Sequence, residues 1–345
     1  MWHSPFTRQY GLHVPFISAG MGFVALPELV AAVSNAGGLG LLGVAPAPAT
    51  LMHEMISRTK SLTTRPFGVD LIVEETAFGP CTTEEHIDVC LAERVPVVVF
   101  FWHRPPADWV TRLHAAGAKV WMTVGSVHAA QEAIDTGMDA IIAQGSEAGG
   151  HNKSVLGLSS LVPALVDAVA PRPVVAAGGI GDGRGVAAAL ALGAEAVCVG
   201  TRLLASQEAF AHEEYKRRVV AAGVDDIVRT SIFGPEWPDQ PMKVIRNRVV
   251  REWAGRDDRT PDPPKDAADI GRTTLFSQEY RMSKFAAVLP TPDTTGDFEE
   301  MCLAAGESAG LTKEIKPAGD IVREMMDEAE RVVKTRLVAL VGGVR

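Results

Sequence analysis

In the run AQGSEAGGH at 143–151, one histidine closes a loop that holds Gly145, Gly149 and Gly150 and follows the apolar segment 139–143. His151 is therefore expected at the exit of a buried strand. An imidazole of ordinary pKa, about 6.5, can take up and return a proton near neutrality. The other histidines read as surface or satisfied core residues, with His103 the next candidate because it ends the apolar run 95–101 beside Trp102, a possible substrate wall. Asp70, inside the apolar run FGVDLI, needs either solvent or a partner. Gln144 and Thr123 end two further runs; both could hydrogen-bond a bound ring or simply cap a strand end. Glu147 reads as a solvated loop charge. The pattern around Ser146 is not that of a nucleophilic serine, which would stand at the centre of G-x-S-x-G rather than second.

The stretch 173–202, PVVAAGGIGDGRGVAAALALGAEAVCVGTR, places two strand-to-glycine-to-helix units in succession. Glycine lets main-chain N–H groups approach a ligand, and a helix N-terminus behind the loop carries about half a positive charge. Two such loops side by side predict a phosphate cup that needs no lysine. The spacing Gly179, Gly181, Gly183 puts Arg184 where a dinucleotide fingerprint would have its third glycine. A mononucleotide flavin fits better than a dinucleotide.

The elements that must position these residues alternate regularly. Strands are expected over 14–19, 39–42, 67–72, 95–101, 119–124, 139–143, 174–177 and 196–199. Helices are expected over 26–36, 49–58, 83–92, 107–116, 126–136, 158–169 and 186–192. Eight strand-helix units predict an α/β TIM (β/α)8 barrel, whose seventh and eighth loops are the usual phosphate site. The barrel core is expected over 1–206. Beyond it, 207–317 reads as a helical or irregular insertion or flap over the barrel mouth, with helices at 208–222, 271–281 and 298–305 and a proline-rich irregular stretch at 234–269. A final helix, 318–340, is expected to pack back on the barrel within a last segment 318–345. The C-terminal part is thus mainly helical.

The 345 residues are 47% apolar, enough for a large core, and carry a net charge of −9, which disfavours a nucleic-acid surface. The basic run Lys216-Arg217-Arg218 fits a solvated helix face. Four scattered cysteines, without C-x-x-C spacing, suggest neither disulfides nor metal. Without a basic-then-apolar leader or an 18-residue apolar run, a cytoplasmic protein with no membrane contact is expected. A homodimer is compatible with these features but not required by them.

The motifs AGMGFVALPELVAAVSNAGGLGLLG (19–43), PFGVDLI (66–72), DAIIAQGSEAGGH (139–151) and the 173–202 stretch together resemble the nitronate monooxygenase family. The segment AAGESAGLTKEIKPAGDIV (304–322) is similar to the closing segment of that family and of its flavin-dependent enoyl-ACP reductase relatives. The resemblance implies FMN in a TIM barrel, with phosphate on Gly178, Gly179, Gly200 and Thr201 and the ring near Met21, Gly22, Asp70, Thr123, Gln144 and Gly149. It implies His151 as catalytic base and oxidation of alkyl nitronates, or of the nitroalkanes from which they form, by O2, with a small molecule as the substrate. An NAD(P)H-dependent reductase of an enoyl thioester or quinone is the alternative. Two departures stand out: Asp70 replaces the asparagine usual in the third-strand motif, and Asn152-Lys153 follow His151 where many members carry Arg-Gly.

Overall fold

The alternation of side chains along eight short parallel strands organises the molecule. In the computed structural model, which describes residues 2–77, 79–256, 259–261, 269–275 and 278–340, these strands are β1 (Phe16–Ser18), β2 (Gly40–Gly43), β3 (Phe67–Val73), β4 (Val97–Trp102), β5 (Lys119–Val124), β6 (Ala140–Gln144), β7 (Val174–Ala177) and β8 (Ala196–Val199). From β2 to β8 each pairs with the next in parallel, and β8 pairs with β1. The bridge between Ile17 and Leu39 brings β1 against β2, so the sheet curls into a nearly closed barrel. The expected strands 119–124, 174–177 and 196–199 are found with those bounds; the others differ by one or two residues at an end, within the usual fraying of such limits.

Because successive strand residues face opposite sides, Val120, Met122 and Val124 pack outward on the helices while Trp121 and Thr123 point inward. Inward residues near the strand starts fill the barrel: Ile17, Leu41, Val99, Trp121, Ile142 and Val175 form one buried cluster. A short helix, Pro5–Gln9, was not anticipated. It plugs that end, with Phe6 and Tyr10 against Trp121, whose indole N–H donates to the Tyr10 hydroxyl at 2.9 Å. Inward residues near the strand ends, by contrast, meet no plug. Asp70, Thr123 and Gln144 are left around an open cavity.

Several helices start where cap chemistry predicts. Ser126 Oγ accepts from the Ala129 N–H to open Val127–Asp135, and Thr83 precedes Glu84–Ala92. The final helix, Ala318–Arg331, buries Ile321 and Met325 against Gly183–Ala191 and continues as a wider turn through Val332–Leu337, where Leu337 is exposed.

Four expectations outside the barrel fail. Residues 271–281 form an antiparallel hairpin, Gly271–Leu275 with Gln278–Met282; its tip, 276–277, lies outside the described residues. Thr273 and Leu275 are buried and Arg272 and Thr274 exposed, a period of two rather than 3.6. Residues 298–305 are turn and extended chain, held where Asn247 Nδ2 donates to the carbonyls of Phe298 and Met301. The helix expected from 208 begins at Glu213, capped by His212. Stretch 234–269, of which 257–258 and 262–268 lie outside the described residues, contains the strand Met242–Ile245 and the helix Arg248–Trp253. The basic run is solvated only in part: Arg217 is exposed, whereas Lys216 is buried, its ammonium donating to the Gln207 carbonyl, and Arg218 pairs with Glu214 and Glu299.

Candidate active site

Above the C-terminal ends of the strands lies a cavity of about 290 Å³. Met21, Gly22, Asp70, Thr123, Gln144, Gly149, His151, Gly178, Gly179, Gly200 and Thr201 all line it. Residues scattered over 180 positions of chain thus converge because each lies in the C-terminal half of a barrel strand or in the loop that follows one.

His151 is placed by two neighbouring elements. It pairs antiparallel with Met242, outside the barrel, and its carbonyl accepts from Gln144 Nε2 at 3.2 Å. The next residue, Asn152, is buried and stitches the loop: its Nδ2 donates to the Gly145 carbonyl at 2.8 Å and its Oδ1 accepts from the Ser154 N–H at 2.8 Å. The imidazole packs against Trp237 with ring centroids 4.2 Å apart, and Trp102 lies 5.8 Å from it. His151 Nε2 has no hydrogen-bond partner, and burial lowers its pKa to about 4. The ring is therefore neutral at pH 7 and free to accept a proton.

Asp70 shows the opposite displacement. Desolvation raises its pKa to about 8, and its Oδ1 has no partner. Space for it is made by Gly20, where a Cβ would fall 2.2 Å from that of Asp70. At neutral pH it is a carboxylic acid, able to donate as well as accept.

The glycine cup is real in shape and differs in detail from expectation. Gly178 and Gly179 adopt φ of +118° and +67°, which favour glycine, and a Cβ on Gly178 would come within 2.9 Å of the Ala148 nitrogen. Gly200 opens the short helix Thr201–Leu204, and Thr201 Oγ1 accepts from the Gly306 N–H at 2.9 Å. The helix following the first loop, Gly183–Ala191, does not offer its N-terminus. Asp182 accepts from the N–H groups of Arg184 and Gly185, and Glu328 from that of Gly183 at 2.7 Å. Two carboxylates already satisfy those donors, so main-chain groups of the loops, rather than this helix end, are what remains for an anion.

Three expectations about side chains need correction. His103 is outside the cavity and exposed, its Nε2 3.2 Å from Glu74 Oε2. Trp102 does not line the cavity; it backs Trp237 at 4.6 Å, with the Lys153 ammonium over its ring at 4.2 Å and donating to its carbonyl. Glu147 is not solvated: its Oε1 accepts from the Leu158 N–H at the start of a helix, and its Oε2 is buried without a partner.

The sequence reading missed Trp237, Glu236 and Tyr215, which also line the cavity from outside the barrel. Glu236 clamps its loop, accepting from Tyr280 O–H at 2.7 Å and from Ala287 N–H at 2.9 Å. Trp237 Nε1 is buried and unpartnered. A tryptophan in a proline-flanked segment was the available signal. Among the described residues no group of three or more His, Cys, Asp or Glu could hold a metal ion, and no helix is long and apolar enough to cross a membrane.

A family model described as nitronate monooxygenase matches residues 4–328. A probable nitronate monooxygenase of Staphylococcus aureus (strain Newman) is 35% identical over 326 residues, covering 80% of this chain and 90% of the relative. A (3aS,4S,5R,7aS)-5-hydroxy-7a-methyl-1-oxo-octahydro-1H-indene-4-carboxyl-CoA dehydrogenase of Mycobacterium tuberculosis (strain H37Rv) is 31% identical, covering 94% and 96%. The solved nitroalkane oxidase from Streptomyces ansochromogenes superposes with a TM-score of 0.78 at 27% identity, covering 98% of this chain and all of that one.

Proposed function

This chain belongs to the nitronate monooxygenase family and is an oxidoreductase, and we propose that it uses FMN to oxidise nitro compounds with O2. Two alkyl nitronates, or the nitroalkanes from which they form, and one O2 would yield two carbonyl compounds and two nitrite ions. The observation that carries this reading is the meeting, in one cavity, of a side-chain-free glycine cup with a buried imidazole whose Nε2 lacks a partner.

The residues present fit the flavin. Main-chain groups of Gly178, Gly179, Gly200 and Thr201 would hold the phosphate, and Met21, Gly22, Asp70, Thr123, Gln144 and Gly149 would surround the ring. When bound, the flavin supplies the electron acceptor that couples the substrate to O2. His151, neutral at pH 7, takes the α-proton of a nitroalkane on Nε2. Gln144 fixes the backbone at His151 through the His151 carbonyl. The stretch 207–317 acts as the flap of this site, contributing Trp237 and Glu236 to its lining and limiting water around the imidazole.

Replacing His151 with alanine should abolish nitroalkane turnover while FMN absorbance stays with the protein. Undiminished turnover would remove His151 from the reaction. The near full-length match to a CoA-thioester dehydrogenase favours a second reading, a reductase of an enoyl thioester, or of a quinone, using NAD(P)H. Anaerobic mixing separates the two: bleaching of the flavin by NADH, with no response to nitronate, would select the second.

A further inference from the structure

Several polar side chains that line the cavity are already engaged. The Tyr215 hydroxyl donates to the Ala304 carbonyl at 2.5 Å, Glu236 accepts from Tyr280 and Ala287, and Gln144 donates to the His151 carbonyl. Three buried atoms of the lining have no partner among the described residues: Asp70 Oδ1, His151 Nε2 and Trp237 Nε1. The first two belong to groups that titrate. The indole N–H is a donor in every state and never an acceptor. Trp237 is only 7% exposed, and a donor left unpaired at such a place is costly. A ligand that brings an acceptor removes that cost.

The donor is also held in place. The Trp237 main-chain N–H donates to the Gly234 carbonyl at 3.0 Å, the Gly234 N–H to the Phe285 carbonyl at 2.9 Å, and the Ala77 N–H to the Glu236 carbonyl at 2.8 Å. Trp102 packs edge-on against the ring at 4.6 Å. A group fixed this way loses little further freedom when it is used. Trp237 comes from the flap and stands against His151, whereas the glycine cup is built from the loops after β7 and β8. The indole therefore belongs to the substrate's share of the cavity. Resting on the nitro-oxidising reading above, we infer that the Trp237 indole N–H binds the substrate by donating a hydrogen bond to an oxygen of its nitro group. Such a bond strengthens as negative charge gathers on that oxygen. A molecule of the same shape without an acceptor leaves the N–H buried and unpaired, so Trp237 makes the acceptor a requirement.

The holoprotein and its Trp237→Phe variant test this by flavin-absorbance titration with tert-nitrobutane, which has no α-hydrogen to lose, and with neohexane, a hydrocarbon of similar branching without an acceptor. The nitro compound should bind about fivefold more weakly to the variant, and the hydrocarbon equally to both. In parent protein labelled at the indole nitrogen, one of the six tryptophan N–H resonances should shift with tert-nitrobutane and not with neohexane, a readout that does not depend on the variant folding. For nitroethane, kcat/KM should fall in the variant at every pH with its acid limb unmoved. Equal affinity of tert-nitrobutane for both proteins, no saturable binding of it to the parent, an equal loss for both ligands, an unshifted indole resonance, or a change in kcat/KM that is only a moved limb would each overturn the inference. If the parent does not oxidise nitroethane while the indole resonance still answers tert-nitrobutane, the nitro-oxidising reading falls and the donor survives as a site for an acceptor oxygen.

Discussion

Asp70→Asn in the flavin-stripped protein should be more stable than the parent by a margin that widens as pH rises. Burial holds the folded Asp70 protonated up to about 8, whereas the unfolded chain releases that proton near 3.8. A raised folded pKa contributes stability that is complete below the unfolded value and is lost as pH climbs through the folded one, because the unfolded state binds fewer protons. Between the two values folding takes up one proton, so the parent loses about 1.4 kcal/mol per pH unit, or about 2.7 kcal/mol from pH 5 to pH 7. Asparagine has nearly the same size and no titration, so it escapes this loss. His151 slopes the other way between about 4 and 6.5, but it is common to both proteins and drops out of their difference. Urea unfolding of parent and variant at pH 5, 6 and 7, compared through midpoints at a common m-value, reads the margin. A difference that stays level over that range would mean that Asp70 is ionised in the folded protein, and the desolvation argument would be wrong.

Trp237→Ala should wet His151, and the acid limb of kcat/KM for a nitroalkane should move from about 4 toward 6.5, a span of about 3.4 kcal/mol at most; Trp237→Phe, which keeps the wall, should stay near the parent. An unmoved limb in the alanine variant would assign the desolvation to other groups. Gly178→Ala forces a side chain into φ of +118° and against the Ala148 nitrogen, costing about 1–3 kcal/mol and emptying the phosphate cup. The ratio of flavin to protein absorbance should fall, and full flavin content would contradict the cup. Glu328→Ala leaves the Gly183 N–H without its acceptor, which should lower stability by about 1–2 kcal/mol with flavin content retained. Unchanged urea midpoints would show that water replaces the carboxylate.

Legibility in the sequence followed the range of the physics involved. The strand exits carrying Asp70, Thr123 and Gln144 could be placed because a strand's alternation is set within a few residues, and the glycine cup because Gly178 and Gly179 need no distant partner to be recognised. Over 271–281 the sequence suggests a helix because two arginines, both exposed, and mixed polarity hide the hairpin's period of two. Lys216 looked solvated because its acceptor, the Gln207 carbonyl, lies before the helix and is brought near only by the fold.

What the order of residues determined alone is the eight-fold strand-helix beat, the inward face of each strand and the presence of a histidine at the exit of the sixth. Tertiary structure decided the chemistry of that histidine. Only the docking of the loop that Glu236 clamps puts Trp237 4.2 Å from the His151 ring, and the desolvation that holds an imidazole neutral and Asp70 protonated is a property of the surrounding volume, which no local pattern of residues encodes.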